Sequence, residues 1–463
     1  MTDSARVARS VNPHSLAVLS ERPFLDAAGR EAAVAGAAEG WRGWAGLTVA
    51  ERLAGVGRVA AGLRAQRSAL AALITAEVGK PIAEAEAEVD KCAATLQWVA
   101  ENSEQWLLPE EIPARARRSE VHRRPAGLVL AILPWNYPLW QAVRVFAGAW
   151  PGGNGVLLKH APTTFGCSAA LCALVAEAGL PPGALTELPI HQDDVAALIA
   201  DPRVRAVTLT GSEGAGRAVG AQAGANLKPC TLELGGSDAF IVMADADLPR
   251  AAAVAARARL QNNGQTCIAA KRFFIENSVL DDFLDAFLSE LRAVVVGDPA
   301  DRQSTLGPLH RADLVQGLHQ QVQASLRRRQ AQLLLGGAPL VGPAHPGHYY
   351  PPTVILDANE GSPVACTETF GPLAAVWGVH SAEEAVLRAN DSRYGLAATL
   401  FGADLDRARH LALQLDCGGV FINEAPYSDA RLPFGGVKAS GLGRELGREG
   451  TLGLLDTRTL TFA

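Results

Sequence analysis

The stretch Val204-Arg205-Ala206-Val207-Thr208-Leu209-Thr210, followed at once by Gly211-Ser212-Glu213-Gly214-Ala215-Gly216, decides how this chain is read. A short β-rich apolar run, Ala206–Leu209, ends in a glycine turn and passes into an Ala-rich helical stretch. Such a turn brings backbone N–H groups close to a phosphate, on the positive end of the helix. The same turn often only solves a packing problem, so taken alone it marks an α/β unit rather than a ligand.

Similar apolar runs lie on either side, at Gly127–Leu133, Val156–Leu158 and Ala239–Met243, with helical stretches between them. That alternation predicts βαβ units and a mainly parallel sheet. A second α/β series starts near Arg272–Ile275, and further strands are expected at Ala374–Trp377, Ala397–Phe401 and Gly419–Ile422. Between them Leu280, Phe283, Leu284, Phe287, Leu288 and Leu291 fall on one face of a helix. Thr48 with Glu51, and Ser381 with Glu384, have capping-box spacing. The first hundred residues read as mostly helical. No Ser/Gly-rich linker or internal repeat divides the chain, so its domains are expected to touch along a broad cleft.

At 463 residues the chain is too long for one core, and about 150 residues per domain suggests about three domains. Charged residues are 19% and hydrophobic residues 48%, which argues against disorder. Net charge is 42 − 48 = −6, which argues against nucleic acid or an anionic membrane as the partner. No run approaches the roughly 20 apolar residues of a membrane span, and the N-terminus lacks the apolar core of a signal peptide. Seven scattered cysteines without a CxxC pair fit a reducing cytoplasm. His345 and His348, in the Pro/Gly-rich GPAHPGHYY, read as loop residues, and no metal site is expected. The basic run Arg115–Arg124 reads as a solvated hairpin or linker. Only six lysines occur, at 80, 91, 159, 228, 271 and 438, so any lysine with a chemical task is easy to enumerate.

Several short motifs are candidates for chemistry. Glu233, in Thr231-Leu232-Glu233-Leu234-Gly235-Gly236, has the spacing of an acid that binds a cofactor ribose. Its apolar setting equally suits a general base with a raised pKa, and the residues leave both roles open. In Gln261-Asn262-Asn263-Gly264-Gln265-Thr266-Cys267, polar residues lead to a single cysteine, either a plain thiol or a nucleophile. Asn136 lies between two prolines in Pro134-Trp135-Asn136-Tyr137-Pro138, as a turn residue or a preorganised donor. Glu368-Thr369-Phe370-Gly371-Pro372 and the glycine-dense segment Pro433 to Glu445 read on their own as loops.

In this order and together, these motifs resemble the aldehyde dehydrogenase superfamily over nearly the whole chain. The resemblance implies an α/β fold with two Rossmann-like α/β domains plus a small β oligomerisation arm. It places a cofactor-binding domain at 1–111 and 127–235, the arm at 112–126, a catalytic domain at 236–447 and a C-terminal oligomerisation segment at 448–463. It implies a homodimer or homotetramer. By the same resemblance Cys267 is the nucleophile that forms a thiohemiacetal, and Asn136 with the Cys267 N–H holds the oxyanion. Hydride then passes to the nicotinamide, and Glu233 activates water against the resulting thioester. Lys159 binds the adenosine ribose, Gly211, Ser212 and Gly216 form the pyrophosphate turn, and Trp135 borders the cofactor. Glu368 binds the nicotinamide ribose, with Phe370 beside it. NAD-preferring members often carry an acid where this chain has Pro162, so either NAD or NADP is permitted. His160 reads as a neutral packing residue.

Leu-Lys-His-Ala-Pro at 158–162 and Glu-Leu-Gly-Gly-Ser-Asp at 233–238 look most like bacterial succinate-semialdehyde dehydrogenases of the Sad type. That resemblance makes Arg144 the binder of a distal substrate carboxylate, and places Ser428 in the substrate-entry loop. Arg144 is otherwise read as pairing with a neighbouring acid. Two positions depart from the pattern. A second substrate arginine is Gln261 here, and a redox cysteine two residues after the nucleophile is Ala269. The expected function is oxidation of an aldehyde, succinic semialdehyde, to the acid. The alternatives are a broad-specificity aldehyde dehydrogenase and a non-catalytic cofactor-binding member.

Overall fold

A computed structural model describes residues 7–327 and 331–463. The first sheet has five parallel strands: β1 (Leu128–Ile132), β2 (Gly155–Lys159), β3 (Leu185–Glu187), β4 (Val204–Thr210) and β5 (Cys230–Glu233). They lie in the order β5-β4-β1-β2-β3. The second sheet holds β6 (Asp238–Val242), β7 (Ala270–Glu276), β8 (Gln332–Leu335), β9 (Thr353–Leu356), β10 (Leu373–Val379), β11 (Ala397–Phe401) and β12 (Gly419–Ile422). Its order is β8-β9-β10-β7-β6-β11-β12, with only β8 antiparallel to its neighbour. A short strand near the end, β13 (Gly441–Leu442), returns to pair antiparallel with β5.

The central strands are apolar runs buried on both faces, which is the pattern of a parallel sheet covered by helices. Each of the eight strands expected from the sequence forms within two residues of its expected ends. β3, β5, β8 and β9 have no counterpart in the sequence reading. They are only three or four residues long, too short to show a period. His345–Tyr349, read as loop, is instead a strand paired with Leu340–Gly342. The hairpin forms a two-stranded sheet of its own, where Pro346 is tolerated because an edge position needs no N–H. Among the described residues no group of His, Cys, Asp and Glu gathers as a metal cluster. No helix there is long and apolar enough to cross a membrane.

The basic run continues into a strand, Arg118–Pro125, which pairs along its whole length with Leu455–Phe462 and at two positions with Glu110–Glu111. Its charges are partly answered locally, since Arg118 and His122 both meet Glu120. The Thr48–Glu51 box closes in both directions. Ser381 caps its helix, but the Glu384 carboxylate takes the His380 N–H at 2.8 Å instead of that of Ser381.

Helix α1 (Ile82–Asn102) sets the position of α2 (Trp140–Ala149). The Glu88 carboxylate of α1 accepts the Leu139 and Trp140 N–H groups, each at 3.0 Å, and so caps α2 from outside. Lys80 neutralises that carboxylate, and the two side chains are 0% and 1% exposed. Breaking a buried pair from one side strands a charge, at a cost of about 3–5 kcal/mol. Lys80→Met is therefore expected to lower the thermal midpoint by several degrees. Adding Glu88→Gln should recover part of the loss, and calorimetry on the parent, single and double variants checks both.

Candidate active site

Helix α3 (Glu213–Ala225) follows the glycine turn after β4, and α4 (Leu248–Leu260) precedes the cysteine loop. Leaving α4, the chain passes through Asn262 (φ 53°), Asn263 (φ 58°) and Gly264 (φ 76°), three left-handed residues in a row. Asparagine tolerates this region better than other side chains. Gly264 admits no side chain, because a Cβ would stand 2.4 Å from the Gly371 carbonyl carbon. Side-chain amides hold the turn. Asn263 donates to the Gly79 and Pro308 carbonyls at 2.8 and 2.9 Å and accepts the Gly307 N–H at 2.7 Å. Gln265 accepts the His310 N–H at 2.8 Å. The Gln-Asn-Asn-Gly-Gln string is thus a clamp that sets Cys267 at the entry to β7.

Asn136 stands in the loop after β1. Its Nδ2 donates to the Gln265 carbonyl at 2.9 Å, and its Oδ1 accepts from Gln141 Nε2 at 2.9 Å. Its own carbonyl accepts from Asn262 Nδ2 at 2.8 Å. An amide nitrogen carries two hydrogens, so one donor remains on a side chain whose orientation is fixed. The rigidity inferred from the flanking prolines comes equally from these bonds. Trp135 stacks on His310 at 4.1 Å and meets the Phe370 edge at 5.9 Å.

Glu233 ends β5, opposite Gly441 of β13, and neither of its carboxylate oxygens has a hydrogen-bond partner. Burial first, then the nearby Glu445 carboxylate, holds it well above the usual carboxylate range, against the pull of Arg144 and Arg444. Both influences favour its neutral form. Burial also pushes the Cys267 thiol up to about 11, opposed by Arg144 and Lys271. The thiol is therefore protonated at neutral pH.

Strand order reverses around β1, between β2 and β4, and in such sheets a ligand crevice opens at the carboxyl ends. Beyond β4, Ser212 caps α3 and accepts the Ala215 N–H at 3.3 Å. A Cβ on Gly216 would lie 2.5 Å from the Leu234 methyl carbons, so this glycine permits the close approach of α3 to the β5 end. β2 ends in Lys159, buried and without an acid partner among the described residues; burial lowers its pKa. Pro162 opens the short turn that follows. His160 points inward to the Pro138 carbonyl at 2.9 Å, and burial lowers its pKa to about 4, so it is neutral. Glu368 meets Lys271 at 3.3 Å and accepts the Gly236 N–H at 3.2 Å. An unanswered cation at the end of β2, a capped helix N-terminus beyond β4 and a carboxylate beside Gly236 suit the hydroxyls and phosphates of a dinucleotide.

Cys267 also lines a cavity of about 180 Å³, together with Tyr137, Trp140, Arg144, Gln261 and Ser428. Arg144 pairs with a neighbouring acid, as one of the two sequence readings has it. It borders this cavity, and its Nε lies 2.9 Å from Glu445. Its Nη2 donates to Thr210 Oγ1 at 3.2 Å, and its guanidinium covers the Phe434 ring at 4.8 Å. The sequence reading passed over Glu445, Lys271, Glu84 and Lys91. Glu84 lines the cavity and accepts the Asn262 N–H at 2.6 Å, and burial raises it to about 7. Lysine scarcity was the available signal for Lys91 and Lys271; the two glutamates carry no local mark.

The aldehyde dehydrogenase family model matches residues 1–460. The NAD(P)+ succinate semialdehyde dehydrogenase Sad of Escherichia coli is 45% identical over 447 residues, 95% of each chain. The NADP+ succinate-semialdehyde dehydrogenase of Deinococcus radiodurans is 42% identical, over 96% of this chain and 92% of its own. The crystal structure of succinic semialdehyde dehydrogenase from Streptococcus pyogenes, in complex with NADP+, superposes with a TM-score of 0.95. It is 35% identical, and the match covers 98% of this chain and 99% of that one. The chain therefore belongs to the aldehyde dehydrogenase family of NAD(P)-dependent oxidoreductases.

Proposed function

We propose that this enzyme oxidises succinic semialdehyde to succinate with NAD or NADP. The observation that carries the reading is the placement of Cys267 and the Arg144 guanidinium on the walls of one small cavity. A cavity this size suits a short aldehyde, and a guanidinium presents paired donors to a carboxylate. The relatives named above support the same substrate.

In this reading Cys267, once deprotonated, adds to the aldehyde carbon. The free hydrogen of the Asn136 amide and the Cys267 N–H receive the charge that develops on oxygen; one such donor is typically worth about 3–4 kcal/mol. When bound, the nicotinamide supplies the hydride acceptor that makes the step an oxidation. Lys159, Gly211, Ser212 and the first turn of α3 through Gly216 would hold the cofactor's adenosine and phosphate end, and Glu368 the nicotinamide ribose, with Trp135 and Phe370 alongside. Pro162 itself brings no charge that would repel a 2′-phosphate. Glu233, as a carboxylate, takes a proton from the water that cleaves the Cys267 thioester. Arg144 and Ser428 bind the distal carboxylate.

We assign the cofactor-binding domain to 1–111 and 127–235 and the catalytic domain to 236–447; the change of sheet between Glu233 and Asp238 supports that division. The segments 112–126 and 448–463 form an arm for a homodimer or homotetramer. The edge strand Leu455–Phe462 offers unpaired backbone and an exposed Leu460 and Phe462 for that contact. Seven free thiols fit a cytoplasmic enzyme.

The first test is the formation of reduced cofactor from succinic semialdehyde against butanal, in NAD and NADP separately. A large preference for the semialdehyde is expected. Equal rates would favour a broad-specificity enzyme, the reading suggested by the Arg144–Glu445 pair.

Two further outcomes follow from the protonation states. Both Cys267 and Glu233 are raised, so their reactive anions gain population as pH rises. In the enzyme without cofactor, alkylation of Cys267 by iodoacetamide should accelerate roughly tenfold per pH unit between about pH 8 and 10. A pH-independent rate would mean a thiolate at rest. Glu233→Gln should keep a one-per-site burst of reduced cofactor in stopped flow, while steady-state turnover falls at least about 100-fold. A variant that retained full turnover would remove Glu233 from the hydrolytic step.

A further inference from the structure

The cavity beside Cys267 holds a second cation, Lys91, projecting from α1. Its Nζ lies 4.2 Å from the Trp140 ring centroid and donates to Ser428 Oγ at 2.9 Å. Among the described residues it forms no ion pair. The acids whose charge reaches it are committed elsewhere, Glu88 to Lys80 and Asp429 to Arg431 at 2.5 Å. Arg144 differs in this respect, because Glu445 lies against it at 2.9 Å. The Arg144–Glu445 pair therefore brings no net charge to the cavity, and Gln261 brings none.

A substrate with an anionic end loses its hydration on entering such a site, and a buried carboxylate needs a compensating charge as well as hydrogen bonds. Glu84 also lines the cavity, but burial raises it to about 7 and so weakens its negative charge, which leaves Lys91 as the cation there without an acid partner. An ammonium has three hydrogens, and the bond to Ser428 uses one. Ser428 accepts that bond on its oxygen, which leaves its own hydroxyl hydrogen to be donated onward. Burial and the nearby Arg144 lower the Lys91 pKa to about 8. It is still mainly charged at neutral pH, and an anion bound beside it would hold it so.

We infer that Lys91, acting with the Ser428 hydroxyl and beside Arg144, is a further anchor for the distal carboxylate of an ω-carboxylate aldehyde in this cavity, and that it supplies the net charge on which preference over an uncharged aldehyde depends. The inference rests on the semialdehyde reading above and adds the side chain that neutralises the substrate.

The experiment compares kcat/KM for succinic semialdehyde and for butanal in the parent, Lys91→Met and Lys91→Arg. Loss of a charged hydrogen bond should lower the semialdehyde-to-butanal ratio of Lys91→Met by about 10- to 100-fold, mainly through KM for the semialdehyde. Lys91→Arg should keep most of the preference. A parent that prefers the semialdehyde, with a Lys91→Met ratio within about threefold of it, would overturn the assignment of Lys91 and leave the substrate reading intact. A parent with no preference would remove the substrate reading itself. Should Lys91→Met not yield folded protein, Lys91→Gln, which keeps a polar chain over Trp140, carries the same comparison.

Discussion

Three successive left-handed residues, Asn262, Asn263 and Gly264, determine where Cys267 stands, and the rest of the site is arranged around them. The turn is unfavourable for ordinary side chains, so surrounding structure must hold it. It is held from both halves of the molecule. Asn263 binds the carbonyls of Gly79 and Pro308, and Asn262 binds the carbonyl of Asn136, in the loop that follows the first sheet's central strand. Asn136 answers by donating to Gln265. The remaining amide hydrogen of Asn136 and the thiol are thereby fixed relative to each other by a closed set of amide–carbonyl bonds. Displacement of either sheet would break several of these bonds at once.

Charge in the site is arranged to be nearly silent at rest. Burial keeps Cys267 protonated and favours the neutral form of Glu233, and Arg144 is offset by Glu445. Arg144 also pulls both raised groups back toward ionisation. One guanidinium thus faces two carboxyl groups and a thiol from the first turns of α2. The position of α2 rests in turn on Glu88, which caps it, and on Lys80, which neutralises Glu88. A structural ion pair in one layer and the reactivity of the thiol in another are therefore linked through a single short helix.

Much of this was legible in the sequence. Every strand with an apolar run of four or more residues was visible, because a parallel strand buried on both faces shows as an uninterrupted run. The amphipathic helix Leu280–Arg292 buries Phe283, Leu284, Phe287, Leu288 and Leu291, five of the six residues placed on its face. β5 was not legible. Cys-Thr-Leu-Glu is four residues long and ends in a charge, and it becomes a strand only because β4 and the distant Gly441–Leu442 both pair with it. The polar string before Cys267 was visible as unusual. Its reason was not, since the partners of Asn263 lie 45 and 184 residues away. Glu445 carries no local signature and Lys91 only the scarcity of lysines, and their convergence on the cavity and on Arg144 gives them meaning.

Glu233 shows how far the fold constrains the chemistry. Its carboxylate is walled by the glycine segment near the C-terminus, where a Cβ on Gly435 would come within 2.6 Å of its Oε1. Gly441 lies opposite it in the strand pair, and a Cβ there would stand 2.3 Å from the Leu232 carbonyl oxygen. Both glycines are needed for that segment to approach β5 so closely. The close approach removes water from the carboxylate, and removal of water is the largest cause of its raised pKa. The glycine density between Pro433 and Glu445, which alone reads as a mobile loop, is then a packing requirement. The backbone must come close enough to keep one acid dry, and side chains would prevent it.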